Sequence, residues 1–220
     1  MGKTKWIICI IIFFSTLTIY LFTLCPTIYW EDSEAFSSVH ALLGIPHSPG
    51  FPLYVLLGRL FLLFPIKNSA YLSNLMSAFW GSLSLAILFL LISSFKQSDE
   101  DRPQPHNLLA PLSATVGILF LAFTSSFWLQ TIRAEVYTLN LFFTLILIFL
   151  SIKWADGNSA IYSYRKFFLF SFIFGISLAN HPLLIITLAP GFLLYYLMTD
   201  AKRFLATSRL VLGIVLLLLG

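Results

Sequence analysis

The sequence predicts an all-α polytopic membrane protein: a bundle of apolar helices with its polar residues gathered in loops. Three observations predict it. Hydrophobic residues make up 59% of the chain and charged residues 10%, with a mean hydropathy of +0.91, more apolar material than a water-soluble domain of 220 residues can bury. Apolar runs recur near the roughly 20 residues that a helix needs to cross hydrocarbon. The alternating pattern of an outer-membrane barrel is absent. The net charge of +4 lies in the links between runs, where it reads as an orientation signal, which excludes a nucleic-acid partner.

The first run, 6–25, follows MGKTKW. It exceeds the 7–15 residues of a signal-peptide core and no small-x-small site follows, so it is read as an uncleaved first span. Residues 26–68 form the first loop. Further runs cover 69–95, 108–128, 137–154, 167–179, 183–198 and 210–220. The chain reads as one transmembrane domain, 1–220, in which 69–220 holds the remaining spans. The last run reaches Gly220, so the final helix is expected to be truncated.

Segment 52–66 is about 15 residues long, short of a span, and Arg59 interrupts it. If it did cross, Lys96, Arg102, Lys153, Arg165, Lys166, Lys202, Arg203 and Arg209 would all face outward, against the positive-inside rule. Laid along the interface, it leaves those residues cytoplasmic together with Lys3, Lys5 and the N-terminus. Only Arg59, Lys67 and Arg133 then stay outside. The same choice puts the acidic first loop, the proline-rich stretch, Arg133 with Glu135, and Asn180-His181 on one extracytoplasmic face. As a single helix, 167–198 would run about 48 Å. Two helices meeting at Asn180-His181-Pro182 are expected instead, the first of about 13 residues rising about 20 Å.

The first loop, PTIYWEDSEAFSSVHALLGIPHSPGFP, sets Glu31, Asp32 and Glu34 beside His40 and His47. Phe36, Val39, Leu42 and Leu43 form an apolar stripe at helical spacing, predicting a short amphipathic helix lying on the membrane with Asp32 or Ser33 as N-cap and Gly44 as the stop. A single acid here is explained by capping and the helix dipole. Three together favour a site, since carboxylates at a membrane face cost free energy that packing alone does not return. Pro46, Pro49 and Pro52 match the polyproline period, predicting an extended, stiff segment that presents His47.

Arg133 and Glu135 read either as an interfacial snorkelling pair or as a phosphate site, because a guanidinium matches phosphate oxygens bidentately. His181 reads either as a hydrogen-bonded cap of a broken helix or as a polar group facing a cavity. Cys9 and Cys25 lie about 24 Å apart on one predicted helix and cannot pair with each other. No HExxH, GxSxG, CxxC or glycine-rich phosphate loop occurs. Metal catalysis is therefore not indicated, although the acids leave room for a divalent cation held together with phosphate.

The motifs EDSEAF, LGIPHSPGFPLYVLLGRLF, RAEVYTLN and GISLANHP, in that order over residues 20–190, resemble a family of multi-pass GT-C glycosyltransferases. It was long catalogued as a domain of unknown function and includes bacterial proteins and an animal endoplasmic-reticulum protein O-mannosyltransferase. The chain departs from the family at EDSEAF, where a Gly is expected after the Ser.

The resemblance implies a polyprenyl- or dolichyl-phosphate hexose donor, a protein or glycan hydroxyl as acceptor, and prenyl tails held in apolar grooves. It implies inverting transfer with Asp32 as general base and Glu31 as the next candidate. Glu34, His47, Arg133, Glu135, Asn180 and His181 would contact substrates, with Arg133 and a histidine facing the departing phosphate. A bacterial inner membrane is the favoured location, with the endoplasmic reticulum as the eukaryotic counterpart. Two other readings are a transporter built around the broken 167–198 hairpin and a truncated or non-catalytic subunit that binds a lipid phosphate.

Overall fold

The computed structural model describes residues 3–65, 68–93, 109–155 and 160–219. Lys67, Lys96 and Arg102, three of the loop charges used to orient the chain, lie outside them. The described residues contain helices and no strand: α1 (Lys3–Thr23), α2 (Ser33–Leu42), α3 (Pro52–Phe61), α4 (Ser69–Ile92), α5 (Leu109–Ala122), α6 (Ser125–Thr131), α7 (Tyr137–Ala155), α8 (Ala160–Leu178) and α9 (Pro182–Leu219). By length and composition, Thr4–Thr23, Ser69–Ile92, Tyr137–Ala155 and Pro182–Lys202 can each cross a membrane. The chain is thus an all-α polytopic membrane protein. Pro52–Phe61 is apolar but short of a span.

Several local expectations need correction. The 108–128 run is not one rod: α5 and α6 meet at a bend of 71°. Phe123 and Thr124 form that corner, and their amides bond back to Leu119 and Leu121 carbonyls at 3.1 Å each. α8 begins at Ala160 and spans 19 residues, about 28 Å, rather than about 13. The break after it falls where the sequence places it. α8 ends at Leu178 and Pro182 opens α9, because proline lacks the N–H an interior position would donate and is accommodated in a first turn. α9 is itself interrupted at Asp200, whose φ of −162° and ψ of 87° are non-helical. Cys25 lies beyond the end of α1, so the two cysteines do not share one helix, and both are free thiols.

The chain divides into two compact units, Met1–Phe142 and Phe143–Gly220. In the first, α1 lies along α4: Cys9, Ile12, Tyr20 and Leu24 pack with Ala78, Leu85, Ala86 and Phe89, and Ala114, Ile118 and Ala122 of α5 complete the core. The Tyr20 hydroxyl donates to the Ala122 carbonyl at 2.9 Å, and Lys5 donates to the Ser93 carbonyl at the other end of the pair. The second unit is built on Leu147, Leu150, Trp154, Phe167, Phe170 and Tyr196. Ser151 and Tyr196 hydroxyls share a hydrogen bond of 3.1 Å inside it.

Candidate functional site

The candidate site lies at the N-terminal end of α4, where the first loop and the 132–136 link meet. The loop enters through a direct backbone bond, Cys25 N–H to Ile132 O at 3.1 Å. Asn74, fully buried on α4, donates to the Cys25 and Thr27 carbonyls at 2.8 and 2.9 Å and accepts from the Ala134 amide at 2.7 Å. One turn on, Ser77 Oγ accepts from the Glu135 amide at 3.0 Å and donates to the Glu135 carbonyl at 3.3 Å.

α2 and α3 close the site from the other side. α2 buries Ser33, Phe36, Ser37 and His40, a helical i, i+3, i+4, i+7 face. Of the apolar stripe, Phe36 is fully buried, whereas Leu42 and Leu43 are exposed. Hydrocarbon is a good solvent for leucine, so exposure of Leu42 and Leu43 costs nothing at a membrane. His40 Nδ1 lies 2.9 Å from Ser73 Oγ, with its ring 5.0 Å from that of Tyr54. Burial pulls the His40 pKa down to about 4, so the ring is neutral. It lies over Gly58, where a Cβ would come within 2.3 Å of ring atoms.

The loop after α2 is not the polyproline rod that its spacing predicts. It turns back between His47 and Gly50, whose amide donates to the His47 carbonyl at 3.0 Å. The Ser48–Pro49 bond is cis, and Gly50 (φ 95°) and Phe51 (φ 44°) are both left-handed. The left-handed residue ending α2 is Leu43 (φ 53°), one position before the predicted Gly44. The turn folds the His47 ring onto Phe36 and Phe51, with centroids 5.8 and 5.3 Å away. It thereby brings His47 Nε2 to 3.6 Å from Asp32 Oδ2, with both side chains 46% exposed. Asp32 occupies the N-cap position of α2 but makes no side-chain capping bond, so capping does not account for it.

Arg133 is the centre. Its residue is 5% exposed, its Nη2 is 2.7 Å from Glu31 Oε2, its Nε is 3.6 Å from Glu135 Oε1, and it lies over the Tyr29 ring at 5.6 Å from the centroid. Glu31 has a left-handed backbone, φ 66°, a conformation that costs a non-glycine residue about 1–3 kcal/mol. The ion pair is one compensating contact. Glu135 is 1% exposed, and among the described residues its Oε2 has no hydrogen-bond partner. Desolvation pushes its pKa up to about 7; Arg133 opposes this, and the charges of Asp32 and Glu31 add to it.

The first-loop acids and the Arg133–Glu135 link, far apart in sequence, thus form one electrostatic cluster. Glu34 is exposed in the first turn of α2 and takes no part in the ion pairs among the described residues. Asn180 and His181 belong to the second unit. There Asn180 is fully buried and His181 Nδ1 accepts from the Leu184 amide at 3.4 Å. Among the described residues no three His, Cys, Asp or Glu side chains are grouped to hold a metal ion.

Sequence reasoning missed Tyr29, Asn74, Ser77 and the structural role of His40. The legible signal was SNLMS in an otherwise apolar run, since polar side chains inside a span face protein rather than lipid.

The fold and this cluster define a polytopic helical membrane protein with a buried arginine shared between two loops and flanked by acids. Residues 32–204 match the family described as the Protein O-mannosyl-transferase TMEM260 N-terminal domain, and the chain belongs to that family. It is similar to the mouse Protein O-mannosyl-transferase TMEM260, 28% identical over 80% of this chain and 23% of the relative. It is also similar to the Dictyostelium discoideum Protein O-mannosyl-transferase tmem260, 26% identical over 86% of this chain and 23% of the relative. The chain therefore spans less than a quarter of the length of these relatives. No solved structure matches it.

Proposed function

We propose that the chain forms the donor-phosphate and general-base portion of a membrane glycosyltransferase, with mannose the first hexose to test. The donor is a polyprenyl- or dolichyl-phosphate sugar and the acceptor a protein or glycan hydroxyl on the extracytoplasmic face, with the N-terminus cytoplasmic. One observation carries the reading: a buried guanidinium, Arg133, held between two carboxylates and next to a second, half-exposed acid–histidine pair. The names of the relatives support the transferase class.

In this mechanism the Asp32 carboxylate removes the proton from the acceptor hydroxyl. The oxygen attacks C1 of the sugar from the face opposite the phosphate. The bond between C1 and the phosphate oxygen breaks with its electron pair leaving on that oxygen, which inverts the anomeric centre. Arg133 stabilises the charge that develops on the departing phosphate, in a site with little water to screen it. His47 steers Asp32 through their contact, and Glu135 holds Arg133 in place. Arg133 supplies the required positive charge, and a divalent cation shared with the phosphate is tested by adding EDTA.

The experiment is transfer of label from polyprenyl-phosphate [³H]mannose by membranes containing the chain, beside an Asp32→Ala control that inserts normally. Label in protein or glycan, lost in the control, supports the reading. Transfer that survives Asp32→Ala removes the base assignment. Phosphate-dependent binding with no transfer from the wild-type chain favours a non-catalytic lipid-phosphate subunit.

A further inference from the structure

We propose that Asn74 is a positioning residue of this site: it holds the loop carrying Glu31 and Asp32 in register with the link carrying Arg133. The proposal rests on the reading that Arg133 receives the donor phosphate. Asn74 is fully buried, and both hydrogens of its amide are committed, to the Cys25 and Thr27 carbonyls at 2.8 and 2.9 Å. Its oxygen accepts from Ala134 N–H at 2.7 Å. A primary amide is the only small side chain that gives two donors and an acceptor from one planar group.

These bonds serve the two loops rather than the packing of the helices. They end on backbone, on either side of a seam whose only direct backbone bond among the described residues is Cys25 to Ile132. Ala134 is next to Arg133, and Thr27 leads into the turn at Glu31. The apolar core that holds α1 against α4 is made by Leu75, Ala78, Leu85 and Phe89 on α4, whereas every Asn74 bond ends on loop backbone. Asn74 therefore joins the two loops rather than the two spans. Leucine would fill a similar volume but leave the buried Ala134 amide without a partner, at about 1–3 kcal/mol, and give up both bonds to the part-buried Cys25 and Thr27 carbonyls. Aspartate would keep the bond to Ala134 and lose both bonds to the first loop.

The test uses the full chain in nanodiscs and two readouts. The first needs no ligand. In a Cys9→Ser background, native Cys25 is paired with Ile132→Cys, two positions already joined by a backbone hydrogen bond of 3.1 Å. The rate of oxidative cross-linking then reports the seam. Asn74→Ala is expected to slow it at least about tenfold, and Asn74→Asp, which serves should Asn74→Ala fail to fold, to slow it as well. The second readout is binding of farnesyl phosphate. Asn74→Ala is expected to weaken it about tenfold, and the oxidised Cys25–Ile132→Cys bond to restore it.

An unchanged cross-linking rate in both variants overturns the proposal. So does a slowed rate with farnesyl phosphate binding unaffected, or a disulfide that forms without restoring binding. A slowed rate in a chain whose wild type binds no farnesyl phosphate supports the clamp and removes the phosphate reading of Arg133 instead.

Discussion

Glu31 Oε2 lies 2.7 Å from Arg133 Nη2, in the position an anionic ligand of that guanidinium would occupy. The glutamate reaches it from an exposed loop through a left-handed backbone, whereas Arg133 is buried and also faces Glu135. Of the two carboxylates, Glu31 is the one that can leave.

Glu31→Gln should therefore raise affinity for farnesyl phosphate, by roughly three- to tenfold, because the ligand no longer displaces a charge-assisted contact. Arg133→Gln should lower it more than about tenfold. Titration of each variant in nanodiscs checks the pair. The sign is the discriminating result: a glutamate that orients Arg133 for phosphate would weaken binding when neutralised.

The two perturbed groups at the site give opposite pH dependences. Glu135, raised from 4.5 to about 7, binds more protons folded than unfolded between those values, so its stabilising contribution is lost as pH rises through 7. His40, lowered from 6.5 to about 4, binds fewer protons folded, so stability is lost as pH falls from 6.5 towards 4. In the wild type the two slopes offset each other over pH 4.5–6.5. Heat unfolding of the detergent-solubilised chain should show Glu135→Gln becoming more acid-labile than wild type over that range. His40→Gln should show the reverse slope, with stability falling as pH rises. Identical slopes in all three proteins would contradict both assignments.

The helices were largely legible from apolar run length, because one physical rule, satisfying backbone groups away from water, fixes them. Asp32, Glu31, Arg133 and Glu135 were legible as candidates because charge at a membrane face is costly. What the sequence hid was direction. The spacing of Phe36, Val39, Leu42 and Leu43 marks an apolar stripe, but not that Phe36 turns in with Ser33, Ser37 and His40 while Leu42 and Leu43 stay exposed. The prolines at 46, 49 and 52 fit a rod by spacing, but the turn at Gly50 folds His47 back onto Phe36. Three-residue spacing describes a conformation only when no ring-on-ring packing competes with it. Asn74 carries no period, and its one mark in the sequence is the polar SNLMS stretch inside an apolar run.

Gly58 is required by contact rather than by φ. A Cβ there would meet His40 at 2.3 Å, and His40 cannot yield cheaply, being tied to Ser73 and packed on Tyr54. Gly58→Ala should loosen α3 from α2 and cost about 1–3 kcal/mol. Faster limited proteolysis in the 43–51 loop, with α1–α4 packing kept, is the expected readout. A wild-type cleavage rate would show that the ring has room to move.

Ser77→Ala tests how much of Arg133's placement depends on α4. Ser77 Oγ accepts from the Glu135 amide at 3.0 Å, donates to the Glu135 carbonyl at 3.3 Å and lies 3.3 Å from the Tyr54 hydroxyl. Alanine leaves these buried groups without that partner, at about 1–3 kcal/mol for each one that finds no other. The loss falls on the segment next to Arg133 and on α3 together, so unfolding temperature and farnesyl phosphate affinity should drop in the same variant. Ser77→Cys keeps a weak donor and acceptor at the same place and should recover part of both. A variant that lost stability but bound farnesyl phosphate normally would show that Asn74, without Ser77, is enough to hold Arg133 in place.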